Sequence, residues 1–254
     1  MREEPAPVVL RFDSLPSTNT EAARQAAAGA REWLCVVASE QTAGRGRQGR
    51  AWESPPGAGL YFSVVLRPRL DASLWPLLTL TAAVAVSDAL RETCALDVDI
   101  KWPNDLLAGG RKVCGILAEA VEGAPSYKSG GRACVVGVGV NLRADSLPPE
   151  LRERAASVEE LTGTTPDYER LLESLVRALA ERYASLHAEG GARELLREWA
   201  ARSSYAEGRR VRVSLGEECF EGTTRGLESD GALRVETDEG DLRVVRAGDV
   251  TALR

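Results

Sequence analysis

Apolar positions recur along this chain with two periods, and each change of period marks an element. Val8 to Phe12 alternates as a short half-buried strand. Ser17-Thr18-Asn19-Thr20-Glu21 then opens an alanine-rich helix that Gly29 ends, with Thr18 and Glu21 spaced as a capping box. Leu34 to Ala38 and Leu60 to Leu66 are continuous apolar runs of strand length, the pattern of strands buried on both faces. Leu74 to Thr93 is apolar nearly all round, which predicts a long helix packed on a sheet. Val98 to Lys101 is a strand that breaks at Pro103, with Asn104 and Asp105 as turn residues. Arg111 to Val121 and Ala133 to Asn141 read as an antiparallel pair joined by a glycine- and serine-rich connection. Gly115, Gly137 and Gly139 interrupt that pair, where a glycine marks a bulge or the close approach of another group.

After an irregular stretch from Arg143 to Ala156, Ser157 to Glu160 starts a short helix with a second capping box. Between Asp167 and Glu189, Leu171, Leu172, Leu175, Val176, Leu179, Tyr183 and Leu186 recur at helical spacing. His187 falls near the end of that helix and reads as a solvated polar residue beside the helix dipole. A further helix runs from Ala192 to about Arg202. The texture changes after Ser203-Ser204. Arg210 to Leu215, Glu218 to Gly226, Ala232 to Thr237, Leu242 to Arg246 and Val250 to Leu253 are short alternating strands separated by glycine turns, as in a small barrel. The pattern predicts two domains, 1–204 and 205–254.

Composition narrows the function. The 254 residues carry a net charge of −6, against the basic footprint of a general nucleic-acid binder. Five scattered cysteines without CxxC spacing and one histidine exclude a zinc cluster and fit a reduced, cytoplasmic protein. The apolar run around Leu74 to Val86 is too short to span a membrane, and the first residues lack the apolar core of a signal peptide.

The candidate chemistry begins at Gly44-Arg45-Gly46-Arg47-Gln48-Gly49-Arg50. Alternating glycines and arginines suggest a loop that folds over an anion, because guanidinium forks suit phosphate and carboxylate oxygens. The glycine spacing also fits the dinucleotide fingerprint, but Pro55-Pro56-Gly57 forbids the helix that motif needs. There are three lysines (Lys101, Lys112 and Lys128) against 29 arginines, so a lysine marks a place where a compact point charge is wanted. Lys101, at a rigid strand end, suits a reaction that brings two anions together.

GRGRQGRAW (44–52), KWPND (101–105), KVCGILAE (112–119) and GVGVN (137–141), preceded by Ser17-Thr18-Asn19, occur in that order, and the set closely resembles the biotin–protein ligases. The resemblance covers nearly the whole chain. It implies an α+β catalytic domain like that of class II aminoacyl-tRNA synthetases, a mixed sheet packed with helices, followed by an SH3-like barrel. It implies two steps: biotin and MgATP give biotinyl-5′-adenylate and pyrophosphate, and a lysine of a biotin carboxyl carrier domain then attacks the anhydride.

By the same resemblance Ser17, Thr18, Asn19, Gln41, Gly44, Arg45, Trp52, Lys101, Gly115 and Gly137 hold biotin. Ser17, Thr18 and Gln41 bond its ureido group and Trp52 covers its apolar ring. Arg45, Arg47, Arg50, Lys101, Asn104, Lys112 and Asn141 hold ATP, with Asn141 pairing to adenine and Lys101 and Arg47 catalytic. Mg2+ is expected on the ATP phosphates, with no protein ligand assigned. Two departures stand out: about sixteen residues precede Ser17, too few for the helix-turn-helix of repressor members, and no tryptophan lies between Arg143 and Ala156 to cover adenine. The expectation is a ligase without nucleic-acid or membrane partners, able to pair through its central sheet as a homodimer. Its rivals are a lipoate–protein ligase and a non-catalytic anion- or RNA-binding module.

Overall fold

The computed structural model describes residues 7–121, 132–144 and 147–253; the glycine- and serine-rich connection with Lys128 lies outside them. Strands β1 (Val8–Leu15), β2 (Leu34–Gln41), β3 (Gly59–Leu66), β4 (Asp99–Lys101), β5 (Asp105–Ala108), β6 (Arg111–Val121) and β7 (Ala133–Asn141) form one seven-stranded sheet. Its order is β1-β2-β3-β7-β6-β5-β4. β1 and β2 are parallel and the other neighbours antiparallel.

The central strands are apolar throughout because both faces are covered. Helix α1 (Thr18–Ala27) packs on one face, and α2 (Pro76–Cys94) on the other, where α4 (Tyr168–Leu186) and α5 (Gly191–Ala201) pack against it; the short α3 (Val158–Thr162) precedes α4. The pleat sorts the residues. Cys35, Val37, Leu60, Phe62 and Val64 join the larger core with α2, while Val36, Ala38, Val65 and Val135 join the smaller one with Ala22 and Ala26 of α1. By that alternation Ser63 of β3, Gly137 and Gly139 of β7, and Gly115, Leu117 and Glu119 of β6 all lie on the α1 face. This is the face that carries the site.

α2 with its leading turn, Ala72–Cys94, is long and apolar enough to cross a membrane by length and composition, more than the expected run suggested, but its apolar window is 67% buried in the protein. α5 is held by Trp199, which is fully buried. Trp199→Ala is expected to lower stability by about 3–5 kcal/mol, the cost of deleting a buried aromatic, read from the urea midpoint.

The five short strands expected after residue 204 are β8 (Glu207–Leu215), β9 (Glu218–Leu227), β10 (Leu233–Thr237), β11 (Leu242–Val245) and β12 (Asp249–Ala252). They pair antiparallel in the order β11-β10-β9-β8-β12. This unit packs on the first sheet through Trp102, whose Nε1 donates to the Gly231 carbonyl at 3.0 Å.

Three local expectations need correction. The α1 cap is Ser17, whose hydroxyl accepts from Thr20 N at 3.5 Å, while Glu21 turns to Arg24 and Gln25. Asp105 is not a turn residue: the chain turns at Trp102–Asn104, through a cis Trp102–Pro103 bond, and Asp105 starts β5, a strand the pattern did not predict. His187 is anchored rather than solvated. Its Nδ1 bonds the Tyr183 carbonyl at 2.8 Å, Nε2 accepts from Arg69 N at 3.2 Å, and the ring packs on Tyr183. In the arginine loop only Gly49 uses positive φ, joined there by Gln48; Gly44 is needed because a Cβ would strike the Trp52 carbonyl.

Candidate active site

A pocket opens on the α1 face of the first sheet, between the start of α1 and the arginine loop. Its floor is made by glycines. Gly115 of β6 and Gly139 of β7 are cross-strand partners, and so are Leu117 and Gly137. Two facing glycines leave a depression in the pleated surface, and the Trp52 indole fills it: a Cβ on Gly139 would lie 2.5 Å from Trp52 Nε1, and one on Gly115 2.9 Å from its Cζ3. Trp52 Nε1 is buried with no hydrogen-bond partner.

One end of the pocket is a network of neutral donors and acceptors at the start of α1. Thr18 donates to Gln41 Oε1 from its backbone N at 2.8 Å and its hydroxyl at 3.1 Å. Gln41 Nε2 donates to Ser54 Oγ at 2.8 Å, and Ser54 donates to the Trp52 carbonyl at 3.1 Å. Ser63 Oγ donates to Asn19 Oδ1 at 2.6 Å and lies 2.8 Å from Thr18 Oγ1. Asn19 Nδ2 donates to Leu117 O at 3.2 Å and Glu119 Oε2 at 2.9 Å. Ser17, Thr18, Asn19 and Ser63 are all buried, so every one of these bonds fixes a polar group that burial alone would penalise.

The opposite side is a rim of cations. Arg45 Nη2 donates to Glu119 Oε1 at 2.5 Å. Arg47 Nη1 donates to Asn104 Oδ1 at 3.1 Å and to the Gly248 carbonyl, in the second sheet's unit, at 3.3 Å. Arg50 pairs with Asp249 of β12. Lys112 Nζ lies 2.6 Å from Asp105 Oδ1 and over the Trp52 ring, and Lys101 Nζ lies 3.9 Å from Asp105 Oδ2. Burial lowers the pKa of Lys101, and Asp105 partly restores it. Burial also lowers that of Arg47, with Asp249 and Asp105 acting the other way, though a guanidinium stays charged throughout the working range.

Most of the expected residues converge here. Ser17, Thr18, Asn19, Gln41, Arg45, Arg47, Arg50, Trp52, Asn104, Lys112, Gly115 and Gly137 all border the pocket. Three do not. Gly44 supports the loop from beneath, and Lys101 stands behind Asp105. Asn141 is buried and donates from Nδ2 to the carbonyls of Lys112 and Ala156. Sequence reasoning missed Glu119, Ser63, Asp105 and Asp249. Ser63 had a signal, as the one polar residue of the strand Gly59–Leu66. Glu119 had another, a carboxylate on the glycine side of the otherwise apolar stretch that follows Lys112 in its strand. Asp249 had none, because only the docking of the second sheet brings it to the loop.

A glycine-floored pocket has a neutral network at one end and a cluster of cations at the other, on a mixed sheet followed by a small β unit, and its charge suits an anionic ligand. Residues 10–141 match the profile of the Biotin/lipoate A/B protein ligase family, and residues 208–251 match that of the Biotin protein ligase C terminal domain. The chain belongs to this ligase family. It is 35% identical over 246 residues to the "Bifunctional ligase/repressor BirA" of Bacillus subtilis, covering 94% of this chain and 72% of that one. It is 37% identical over 242 residues to the "Biotin--[acetyl-CoA-carboxylase] ligase" of Paracoccus denitrificans, covering 92% and 96%. Among solved structures, the biotin protein ligase from Aquifex aeolicus in complex with biotin and ATP superposes with a TM-score of 0.81 at 28% identity, over 97% of this chain and 99% of that one.

Proposed function

We propose that this enzyme activates biotin with ATP as biotinyl-5′-adenylate, releasing pyrophosphate, and then transfers the biotinyl group to a lysine of a biotin carboxyl carrier domain. The observation that carries the reading is the polarity of this pocket: the Thr18–Gln41–Asn19–Ser63 network at one end and four cations at the other, Arg45, Arg47, Arg50 and Lys112, with Lys101 behind Asp105. A ureido group offers two N–H donors and a carbonyl acceptor, which such a network can meet. The biotin carboxylate at the far end of its chain would then lie among the cations.

There the carboxylate must attack the α-phosphate, and the two anions repel. Lys101, at the end of β4, supplies a point charge shared between them and stabilises charge on the α-phosphate in the transition state. Arg45, Arg47 and Arg50 hold carboxylate and phosphate oxygens, and the Asn141 carbonyl receives the adenine amino group. Mg2+ enters with the phosphates. Among the described residues no group of three or more His, Cys, Asp or Glu side chains could hold a metal ion, and Asp105 is engaged by two lysines. We place the domain boundary at 204/205, where the chain leaves α5 for β8. A biotin rather than lipoate substrate is supported by the named relatives and by the C-terminal unit.

The direct test is biotin-dependent release of pyrophosphate from ATP, run beside lipoate, followed by transfer to a carrier domain. Adenylate formed with lipoate and not with biotin would overturn the reading.

The arginine loop is the lid that retains the reactive anhydride. Arg47→Gly removes one charge-assisted hydrogen bond of about 1.5–3 kcal/mol, so release of adenylate should rise about 10- to 100-fold. The variant should still form adenylate but biotinylate albumin added to the reaction. Retention equal to wild type would show that this loop is no lid.

A further inference from the structure

Each cation of the rim is already matched with an acceptor of the protein, and one of these acceptors differs from the others. Asp105 and Asp249 meet only the rim. Glu119 reaches both ends of the pocket: Oε1 accepts from Arg45 Nη2 at 2.5 Å, and Oε2 accepts from Asn19 Nδ2 at 2.9 Å. Its place follows from the β6 pleat, which puts Gly115, Leu117 and Glu119 on the same face, so that Asn19 is bonded to both Leu117 and Glu119. The Glu119 and Arg45 side chains are 31% and 47% exposed, so an incoming ligand can reach the pair.

We propose that Glu119 is a positioning residue that holds Arg45 in place of a ligand carboxylate and gives it up when a carboxylate enters, while its second oxygen keeps Asn19 aligned. The proposal rests on the reading of this pocket as a biotin site. Asn19 does not need the charge, because its amide is also fixed by Ser63 and Leu117 and a neutral acceptor would serve as well. The charge acts on Arg45. Glu119 engages Arg45 through Nη2 and offsets its charge, and a second carboxylate brought beside the pair is repelled by the first. A bare anion therefore finds the charge of Arg45 already offset. A ligand anchored at the Asn19 end holds its carboxylate beside Arg45 at high effective concentration, where it takes the place of Glu119 Oε1 while Oε2 stays on Asn19.

The test is calorimetric binding of biotin and of neutral biotin amide, without ATP, to the full chain and its variants. Glu119→Gln keeps an acceptor for Asn19 and removes the charge. It should bind biotin about three- to fivefold tighter, the effect of one half-exposed charge pair, and biotin amide as wild type does. In an Arg45→Met background Glu119→Gln should no longer favour biotin over its amide, because the charge it removes acts through Arg45. Equal shifts for biotin and its amide would mean that Glu119 acts only through Asn19 and would overturn the proposal. So would weaker biotin binding by Glu119→Gln, which would make Glu119 an aid to carboxylate binding. Failure of wild type to bind biotin at all would overturn the reading of the site and this proposal with it.

Discussion

Lys101→Ala is expected to slow adenylate formation about 30- to 1,000-fold, the effect of removing a preorganised charge-stabilising group worth about 2–4 kcal/mol. Lys101→Arg should also be impaired, because the planar fork is bulkier than an ammonium and cannot place its charge at the same point on a strand end packed behind Asp105. The measurement is single-turnover formation of biotinyl-adenylate at saturating biotin and ATP. The pH profile gives a second reading. Burial lowers the Lys101 pKa from its ordinary 10.5, so the charge is lost at a lower pH than for a free lysine. The alkaline limb of the wild-type profile should therefore begin below that value and be absent from the residual activity of Lys101→Ala. Near-normal rates in both variants would remove Lys101 from the mechanism.

Gly137→Ala is expected to weaken biotin binding about 100- to 1,000-fold. A Cβ at this position would collide with Asn19 Oδ1, so the buried Asn19 side chain must leave its place. Relieving the overlap costs about 1–3 kcal/mol. It also breaks the bonds from Asn19 to Ser63, Leu117 and Glu119, at about 0.5–1.5 kcal/mol each. The neutral end of the pocket would be lost while the cation rim stayed intact, so ATP binding should change little. Calorimetry with biotin and with ATP separates the two, and the urea midpoint separates lost binding from lost folding. Equal loss of both ligands, or unchanged biotin affinity, would show that the Asn19 network does not hold the ureido group.

How far the sequence could be read depended on the range of the interactions involved. Gly115, Gly137 and Gly139 were legible because glycine inside an apolar strand has few explanations other than close approach, and Trp52 and Asn19 are what approach them. The strand and helix pattern was legible because the sheet is covered on both faces. The α1 cap was misread since Ser17, Thr18, Asn19 and Thr20 are all cap formers, and only the backbone geometry selects Ser17. β5 escaped because Asn104 and Asp105 after a proline read as a turn, yet pairing on both sides makes Asp105–Ala108 a strand. Lys101 and Lys112 were found by their rarity, whereas their shared partner Asp105 is one of many acidic residues and stands out only in three dimensions.

The pairing of Arg50 with Asp249, and of Arg47 with the Gly248 carbonyl, ties the arginine loop to a different sheet from the one that bears it. By thermodynamic reciprocity, an anion that draws these arginines inward must loosen the seating of the second sheet by the same free energy that the seating costs the anion. Arg50 and Asp249 are 63% and 30% exposed at their side chains, so the coupling is small, about 1 kcal/mol or less. Hydrogen exchange of the β12 amides should accordingly quicken a few-fold when the site is filled, turning the edge of the small sheet into a gauge of occupancy in a pocket it does not line with its own core.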